Sequence, residues 1–107
     1  MPLGMGVPKT FTALRREARV PMEVVVRITG HAALPGTEAT FTENVSLRGA
    51  RVLSTRRWKI NDRLVITTLA GSFRSLARVA YCQTVRQSGY AVGLEFVETS
   101  GSWVVAD

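Results

Sequence analysis

The stretch TENVSLRGARV, residues 42–52, predicts a strand that turns at a glycine and returns as a second strand. Side chains two apart on a strand share a face, and this alternation extends the first strand over Ala39 to Leu47. Glu43 is the one break in its apolar face. We expect Gly49 to end the strand with a positive φ, and residues 50–53 to form the returning strand. The predicted apolar face carries Ala39, Phe41, Val45 and Leu47, and the polar face carries Thr40, Thr42, Asn44 and Ser46.

Four further segments have the composition of strands and are separated by turn residues. These segments are Val20 to Thr29, Leu64 to Leu69, Leu76 to Val85 and Tyr90 to Val97. Six strands at such short spacing predict an all-β domain with little helix, either a small antiparallel barrel or a sandwich.

The bulk composition is that of one soluble globular domain. The chain has 107 residues, of which 46% are hydrophobic, and no apolar run is long enough to span a bilayer. The first residues lack the basic and apolar regions of a secretory signal. A single cysteine, Cys82, excludes an internal disulfide and a cysteine-based metal cluster. We therefore expect a cytoplasmic protein without a metal site or cofactor.

The charge balance predicts an anionic partner. Lysine and arginine number 14 against 8 acidic residues, which gives a net charge of +6. Only Lys9 and Lys59 are lysines, so the charge is carried by guanidinium groups. A guanidinium holds a phosphate through two hydrogen bonds and also stacks on a base, which an ammonium does not do.

Two groups of polar residues suggest a ligand. Arg15, Arg16 and Arg19 lie within five positions ahead of the first predicted strand. Asn44 and Ser46 share one strand face and offer both donors and acceptors. Arginine binds phosphate, bonds guanine O6 and N7, and stacks on the purine ring. A guanine nucleotide offers a bonding partner to each of these groups.

The sequence resembles the PilZ domains, bacterial receptors for cyclic di-GMP. The family signature is R-x-x-x-R, matched here by Arg15 and Arg19, followed by [D/N]-x-S-x-x-G, matched by Asn44, Ser46 and Gly49. The two motifs stand about 25 residues apart, and their combination is far more specific than either alone. The likeness extends from about Leu14 to about Val97 and includes VPMEVVV and GLEF.

The resemblance implies a six-stranded antiparallel β-barrel over residues 14–98, a flexible N-terminal segment over 1–13 and a short tail over 99–107. It implies that the arginine segment closes over the ligand, that Asn44 and Ser46 read a guanine, and that Gly49 keeps the strand end clear. Loop closure would then signal to an effector protein. The implied cyclic di-GMP site comprises Arg15, Arg16, Arg19, Asn44, Ser46 and Gly49.

Two departures from the family pattern concern the ligand. Asn44 stands where aspartate is commoner, so it lacks a carboxylate that could accept two hydrogens from guanine N1 and N2. Leu14 stands where some members have a further arginine and bind a stacked ligand dimer. We therefore predict one cyclic di-GMP per chain, with Arg16 as the residue that could replace the missing charge.

The sequence predicts no catalytic residue, and it gives the remaining polar and aromatic residues no part in ligand binding. Ser46 has no histidine or acid placed to activate it, so we predict no catalysis. We expect His31 to be exposed or locally bonded, Cys82 to pack, and Trp58 and Tyr81 to belong to the core or its rim. The remaining arginines are expected to be solvated charges of little energetic weight. These are Arg27, Arg51, Arg56, Arg57, Arg63, Arg74, Arg78 and Arg86.

Two alternatives to a cyclic di-GMP receptor stay open. A barrel of this charge could bind single-stranded nucleic acid without sequence preference, although only 7% of its residues are aromatic. It could also be a PilZ-like docking module for another protein, with a weak ligand site.

Overall fold

The computed structural model describes residues 18–85 and 89–105, and within these ranges it contains seven strands and no helix. The strands are β1 (Val20–Pro21), β2 (Val25–Thr29), β3 (Thr37–Ser46), β4 (Gly49–Ser54), β5 (Arg63–Thr68), β6 (Phe73–Thr84) and β7 (Tyr90–Gly101). The all-β prediction is confirmed.

Six of these strands close into an antiparallel barrel. The strand order around the barrel is β2, β3, β4, β7, β6 and β5, and β5 pairs again with β2. The short β1 is an additional strand, which pairs with the end of β3 through Val20 opposite Val45. The choice between barrel and sandwich is thus settled in favour of the six-stranded barrel. Closure pairs the strand edges that an open sheet would leave free.

Alternate residues of the strands fill the barrel interior. The side chains of Ile28, Ile66 and Val79 are fully buried, and they come from three different strands. Trp58, from the connection between β4 and β5, is also buried and donates its indole N–H to Ser54 Oγ at 3.1 Å. The other large aliphatic side chains that are fully buried are Val26, Val45, Val52, Leu64 and Val92. The apolar alternation in the sequence is therefore the pattern of this core.

A β-bulge in β3 overturns the predicted faces of that strand. Thr42 lies opposite Val52, but Asn44 already lies opposite Arg51, so Glu43 is an extra residue. One extra residue exchanges inward and outward positions on either side of it. Accordingly Thr42 is fully buried and Phe41 is 39% exposed, whereas the sequence predicted the reverse. The prediction remains valid for Val45, which follows the bulge and is buried.

The buried Thr42 joins β1 to β2. Its hydroxyl donates to the carbonyl of Met22 at 2.7 Å and accepts the N–H of Val24 at 2.9 Å. The strand predicted over residues 20–29 is therefore two strands, because the backbone leaves the regular ladder opposite Glu43. The Thr42 side chain replaces the ladder hydrogen bonds there, and β1 stays aligned with β3.

The chain beyond β7 packs back on the barrel. Strand β7 continues four residues past its predicted end at Val97, since Gly101 still pairs with Phe73 of β6. The ring of Trp103 then lies 4.7 Å from Phe73 and 5.0 Å from Phe96, measured between centroids. Its indole N–H donates to the carbonyl of Ser46 at 2.9 Å. Trp103 thereby supports the end of β3.

Candidate functional site

Two neighbouring rows of residues cross the strands β3, β4, β7 and β6. Residues opposite one another in antiparallel strands have Cβ atoms about 4.5 to 5.5 Å apart, so each row forms a continuous band. Each row includes one glycine of β4 or β7. The first row runs Asn44, Arg51, Gly93 and Tyr81, and the second runs Ser46, Gly49, Glu95 and Arg78.

A pocket of about 120 Å³ lies over these rows. Both the side-chain-free positions Gly49 and Gly93 line it. Its polar lining comes from Arg19, Ser46, Arg48, Tyr81 and Glu95. Of the six residues implied to bind cyclic di-GMP, the structure thus brings Arg19, Ser46 and Gly49 to one pocket.

Arg19 connects the two sequence motifs. Its Nη1 donates to Asn44 Oδ1 at 3.2 Å and lies 3.5 Å from the hydroxyl oxygen of Tyr81. Arg19 and Asn44 are 25 positions apart in sequence, and the pairing of β1 with β3 brings them together. Among the residues that the structure describes, no carboxylate lies within ion-pair distance of Arg19. Its positive charge is therefore available to an anion.

Arg51 lies beside Tyr81 and donates hydrogen bonds to three side chains, so it is not the solvated charge that the sequence suggested. Its Nε donates to Glu43 at 2.8 Å, and its Nη1 donates to Gln83 at 3.0 Å and to the Tyr81 hydroxyl at 3.3 Å. The hydrogen bond to Glu43, followed by the one to Tyr81, raises the pKa of Arg51. Arg51 thus holds the Tyr81 hydroxyl beside Arg19.

Tyr81 fits here because residue 93 is a glycine. A Cβ at Gly93 would overlap the Tyr81 ring, so the absence of a side chain lets that ring lie against β7. The sequence assigned Tyr81 to the core or rim, and its half-buried ring and hydroxyl instead form part of the pocket. Its register opposite Gly93 follows a second irregularity, between Val79 and Tyr81, which no sequence pattern marks.

Gly49 is required for close approach of two strands, which corrects the expected positive φ. The glycines with positive φ in the described ranges are Gly36, Gly71 and Gly101. A Cβ at Gly49 would overlap the carbonyl oxygen of Leu94 in β7. The motif glycine therefore lets β4 and β7 meet beside the pocket. Next to it, Ser46 is buried and its hydroxyl lies 3.4 Å from the Gly49 carbonyl oxygen.

Glu95 places a carboxylate at the pocket that the sequence did not single out. Its Oε1 accepts from Arg78 Nη2 at 2.9 Å and from Arg78 Nε at 3.1 Å. Arg78 also donates to Asn61 at 2.8 Å, so it is held on two sides. Arg78 is therefore a partly exposed partner of Glu95, and its charge balances that of the carboxylate.

The remaining predicted residues lie away from this pocket or outside the described residues. Arg15, Arg16 and Leu14 are outside the described ranges, as is Arg86. His31 is locally bonded, because its Nδ1 accepts the N–H of Ala33 at 3.1 Å and its Nε2 lies 3.2 Å from Asp62 Oδ1. Arg56 is also engaged, since it donates to the Pro35 carbonyl at 2.6 Å.

The part of the chain that the structure describes shows no group of three or more His, Cys, Asp or Glu residues able to hold a metal ion. No helix among the same residues is long and apolar enough to cross a bilayer.

Comparison with known proteins gives one result. The family model of the PilZ domain matches residues 13–102. No curated protein and no solved structure matches the chain. The matched range includes the R-x-x-x-R motif, the Asn-x-Ser-x-x-Gly motif and every strand of the barrel. A match over nearly the whole chain, together with the closed six-stranded barrel, shows that the chain belongs to the PilZ domain family.

Proposed function

We propose that this protein is a receptor that binds cyclic di-GMP without catalytic activity. PilZ domains are in general non-catalytic receptors for this second messenger. The observation that carries the proposal is the contact between Arg19 and Asn44, because it joins one residue from each family motif and Arg19 also lines the pocket.

The charges around the pocket suit the phosphates of the ligand. Arg19 and Arg48 line the pocket, and within residues 18–85 and 89–105 neither forms an ion pair. Charge-assisted hydrogen bonds from guanidinium to phosphate are short and about twice as strong as neutral ones. In the proposal, Arg15 and Arg16 add to this positive cluster on the basis of the sequence motif alone.

The polar and aromatic groups suit a guanine base. Arginine donates to guanine O6 and N7, and Asn44 and Ser46 offer both donors and acceptors nearby. The half-buried ring of Tyr81 supplies a face on which a base can stack. Phosphate and base recognition would thus be shared between β3, β6 and the segment before β1.

The proposed signal is a rearrangement of the arginine segment. Arg19 is exposed, and its 3.2 Å contact with Asn44 is a hydrogen bond that a ligand can exchange for stronger ones. Closure of residues 15–19 over cyclic di-GMP would change the surface next to β1 and be read by an effector protein. We propose that this takes place in the cytoplasm, in keeping with the single cysteine.

A nucleic-acid-binding role is the second candidate, and one feature favours it. Arg27, Thr67 and Arg74 form a cross-strand row on β2, β5 and β6, and both arginines are exposed. Such a row could follow a nucleic-acid backbone. Three of the aromatic rings that could stack bases, those of Phe73, Phe96 and Trp103, are instead packed against one another.

Isothermal titration calorimetry with cyclic di-GMP tests the leading proposal. Saturable binding should be lost in Arg15→Ala and Arg19→Ala but retained in Arg27→Ala, which removes an exposed arginine from β2 outside the pocket. GTP serves as the competitor control. Absence of heat with the wild-type chain contradicts the proposal. Salt-sensitive binding to a single-stranded oligonucleotide that cyclic di-GMP does not displace would support the second candidate.

A further inference from the structure

We propose that Glu95 reads the Watson–Crick edge of a bound guanine and so supplies the carboxylate that Asn44 lacks. This inference rests on the proposed function, because it concerns a ligand of the same pocket. It names a residue outside both motifs as the one that separates guanine from other purines.

The position of Glu95 allows this role. In the strand register, Gly49 lies directly between Ser46 and Glu95, and all three line the pocket. Because the middle residue has no side chain, the Ser46 hydroxyl and the Glu95 carboxylate face the same space across bare backbone. The Glu95 side chain is 57% exposed, so a ligand can reach it.

Arg78 makes a carboxylate acceptable beside an anionic ligand. An unpaired Glu95 would repel the phosphates of cyclic di-GMP. The two hydrogen bonds that Arg78 donates to Glu95 both go to Oε1, at 2.9 and 3.1 Å, and the guanidinium balances the charge of the carboxylate. Among the described residues, Oε2 of Glu95 accepts no hydrogen bond. One oxygen therefore holds the side chain in place, and the proposal assigns the other to the ligand.

The open carboxylate matches guanine in particular. Guanine presents two donors on its Watson–Crick edge, the N1–H and the exocyclic N2 amine, and an ionised carboxylate is an acceptor only. Hypoxanthine keeps N1–H but has no amine at C2, and adenine carries an acceptor at N1. Loss of each donor should therefore weaken binding only while the Glu95 carboxylate is present.

The experiment compares cyclic di-GMP with cyclic di-IMP, its inosine analogue, by calorimetry on the full chain. The wild type should prefer cyclic di-GMP by about tenfold or more, since tenfold is the lower end of the effect of one hydrogen bond to a charged group. In Glu95→Gln, which keeps the side-chain size, this preference should fall towards unity. Glu98→Gln is the matched control: it is exposed on the same strand, opposite Leu76 and outside the pocket, and should keep the preference.

A second variant tests the role of Arg78. Arg78→Gln removes the counter-charge of Glu95 and the two hydrogen bonds that hold its side chain, so affinity for both ligands should fall and the preference for cyclic di-GMP should narrow. An unchanged preference in Glu95→Gln overturns the inference while leaving cyclic di-GMP binding intact. Failure of the wild type to bind cyclic di-GMP overturns the proposed function instead, and the inference with it. Thermal melts of Glu95→Gln and Glu98→Gln should coincide, since both side chains are exposed.

Discussion

The ring of Tyr81 occupies the space that a Cβ at Gly93 would fill, and the two residues lie opposite each other on β6 and β7. The glycine thus determines where the ring lies, and the ring determines where its hydroxyl lies. That hydroxyl is 3.3 Å from Arg51 Nη1 and 3.5 Å from Arg19 Nη1. A position without a side chain therefore positions two arginines at the candidate site.

Gly93→Ala should destabilise the fold and weaken cyclic di-GMP binding together. The new methyl group must displace the Tyr81 ring, and overpacking of this kind costs about 1 to 3 kcal/mol. Urea denaturation measures the cost, and calorimetry measures the affinity.

A double-mutant cycle identifies Tyr81 as the cause. In a Tyr81→Ala background the methyl group meets no ring, so Gly93→Ala should cost much less than it does in the wild type. Equal costs in the two backgrounds would show that the glycine is needed for another reason.

Gly49→Ala and Gly49→Asn should lower the free energy of unfolding by the same amount. If a positive φ were the reason for the glycine, asparagine would be tolerated better than alanine. Because the added Cβ overlaps the Leu94 carbonyl oxygen, either substitution should cost about 2 kcal/mol or more, since strand backbones cannot move apart cheaply. Gly89→Ala is the control, because its Cβ would lie 3.5 Å from the nearest atom, the Ser54 carbonyl oxygen. If the Gly49→Asn variant is as stable as the wild type, a positive φ would explain the glycine after all.

The strands and their number were predictable because burial in a small barrel imposes a period of two on the sequence. The faces of β3 were predictable only after Glu43, since the bulge exchanges inward and outward positions before it. The end of β7 was also missed. Its last residues are exposed on a strand with polar composition, and pairing with β6 rather than burial keeps them in the sheet.

The site was predictable only as far as its motifs extend. Arg19, Asn44 and Gly49 were found because the family signature names them. Arg51, Tyr81 and Glu95 enter through cross-strand register, which depends on bulges that the sequence does not mark. For Gly49 the expected positive φ was wrong, because the close approach of two strands requires the glycine instead.

Thr42→Val should remove the two hydrogen bonds that connect β1 to β2 and leave the core volume nearly unchanged. Valine keeps the shape of threonine but cannot accept the Val24 N–H or donate to the Met22 carbonyl. Leaving buried backbone groups unpaired costs about 1 to 3 kcal/mol. Hydrogen exchange at the Val24 amide should accelerate, and the unfolding free energy should fall.

The control for this change is Thr67→Val on the outer face of β5. Thr67 is half-buried, and within the described ranges its hydroxyl forms no hydrogen bond, so its loss should leave stability nearly unchanged. Equal losses for the two variants would mean that the Thr42 hydroxyl does not hold β1.

Leu14→Arg should raise the binding stoichiometry from one cyclic di-GMP per chain to two. A stacked ligand dimer gathers four phosphates, and an additional guanidinium ahead of Arg15 supplies charge and a stacking plane for the second molecule. Calorimetry gives the stoichiometry directly. Leu69→Arg is the matched control, because it adds the same charge at an exposed apolar residue outside the pocket and should leave the stoichiometry at one. If the wild type already binds two ligands, Arg16 takes the place of the missing arginine, and Arg16→Ala should then return the stoichiometry to one.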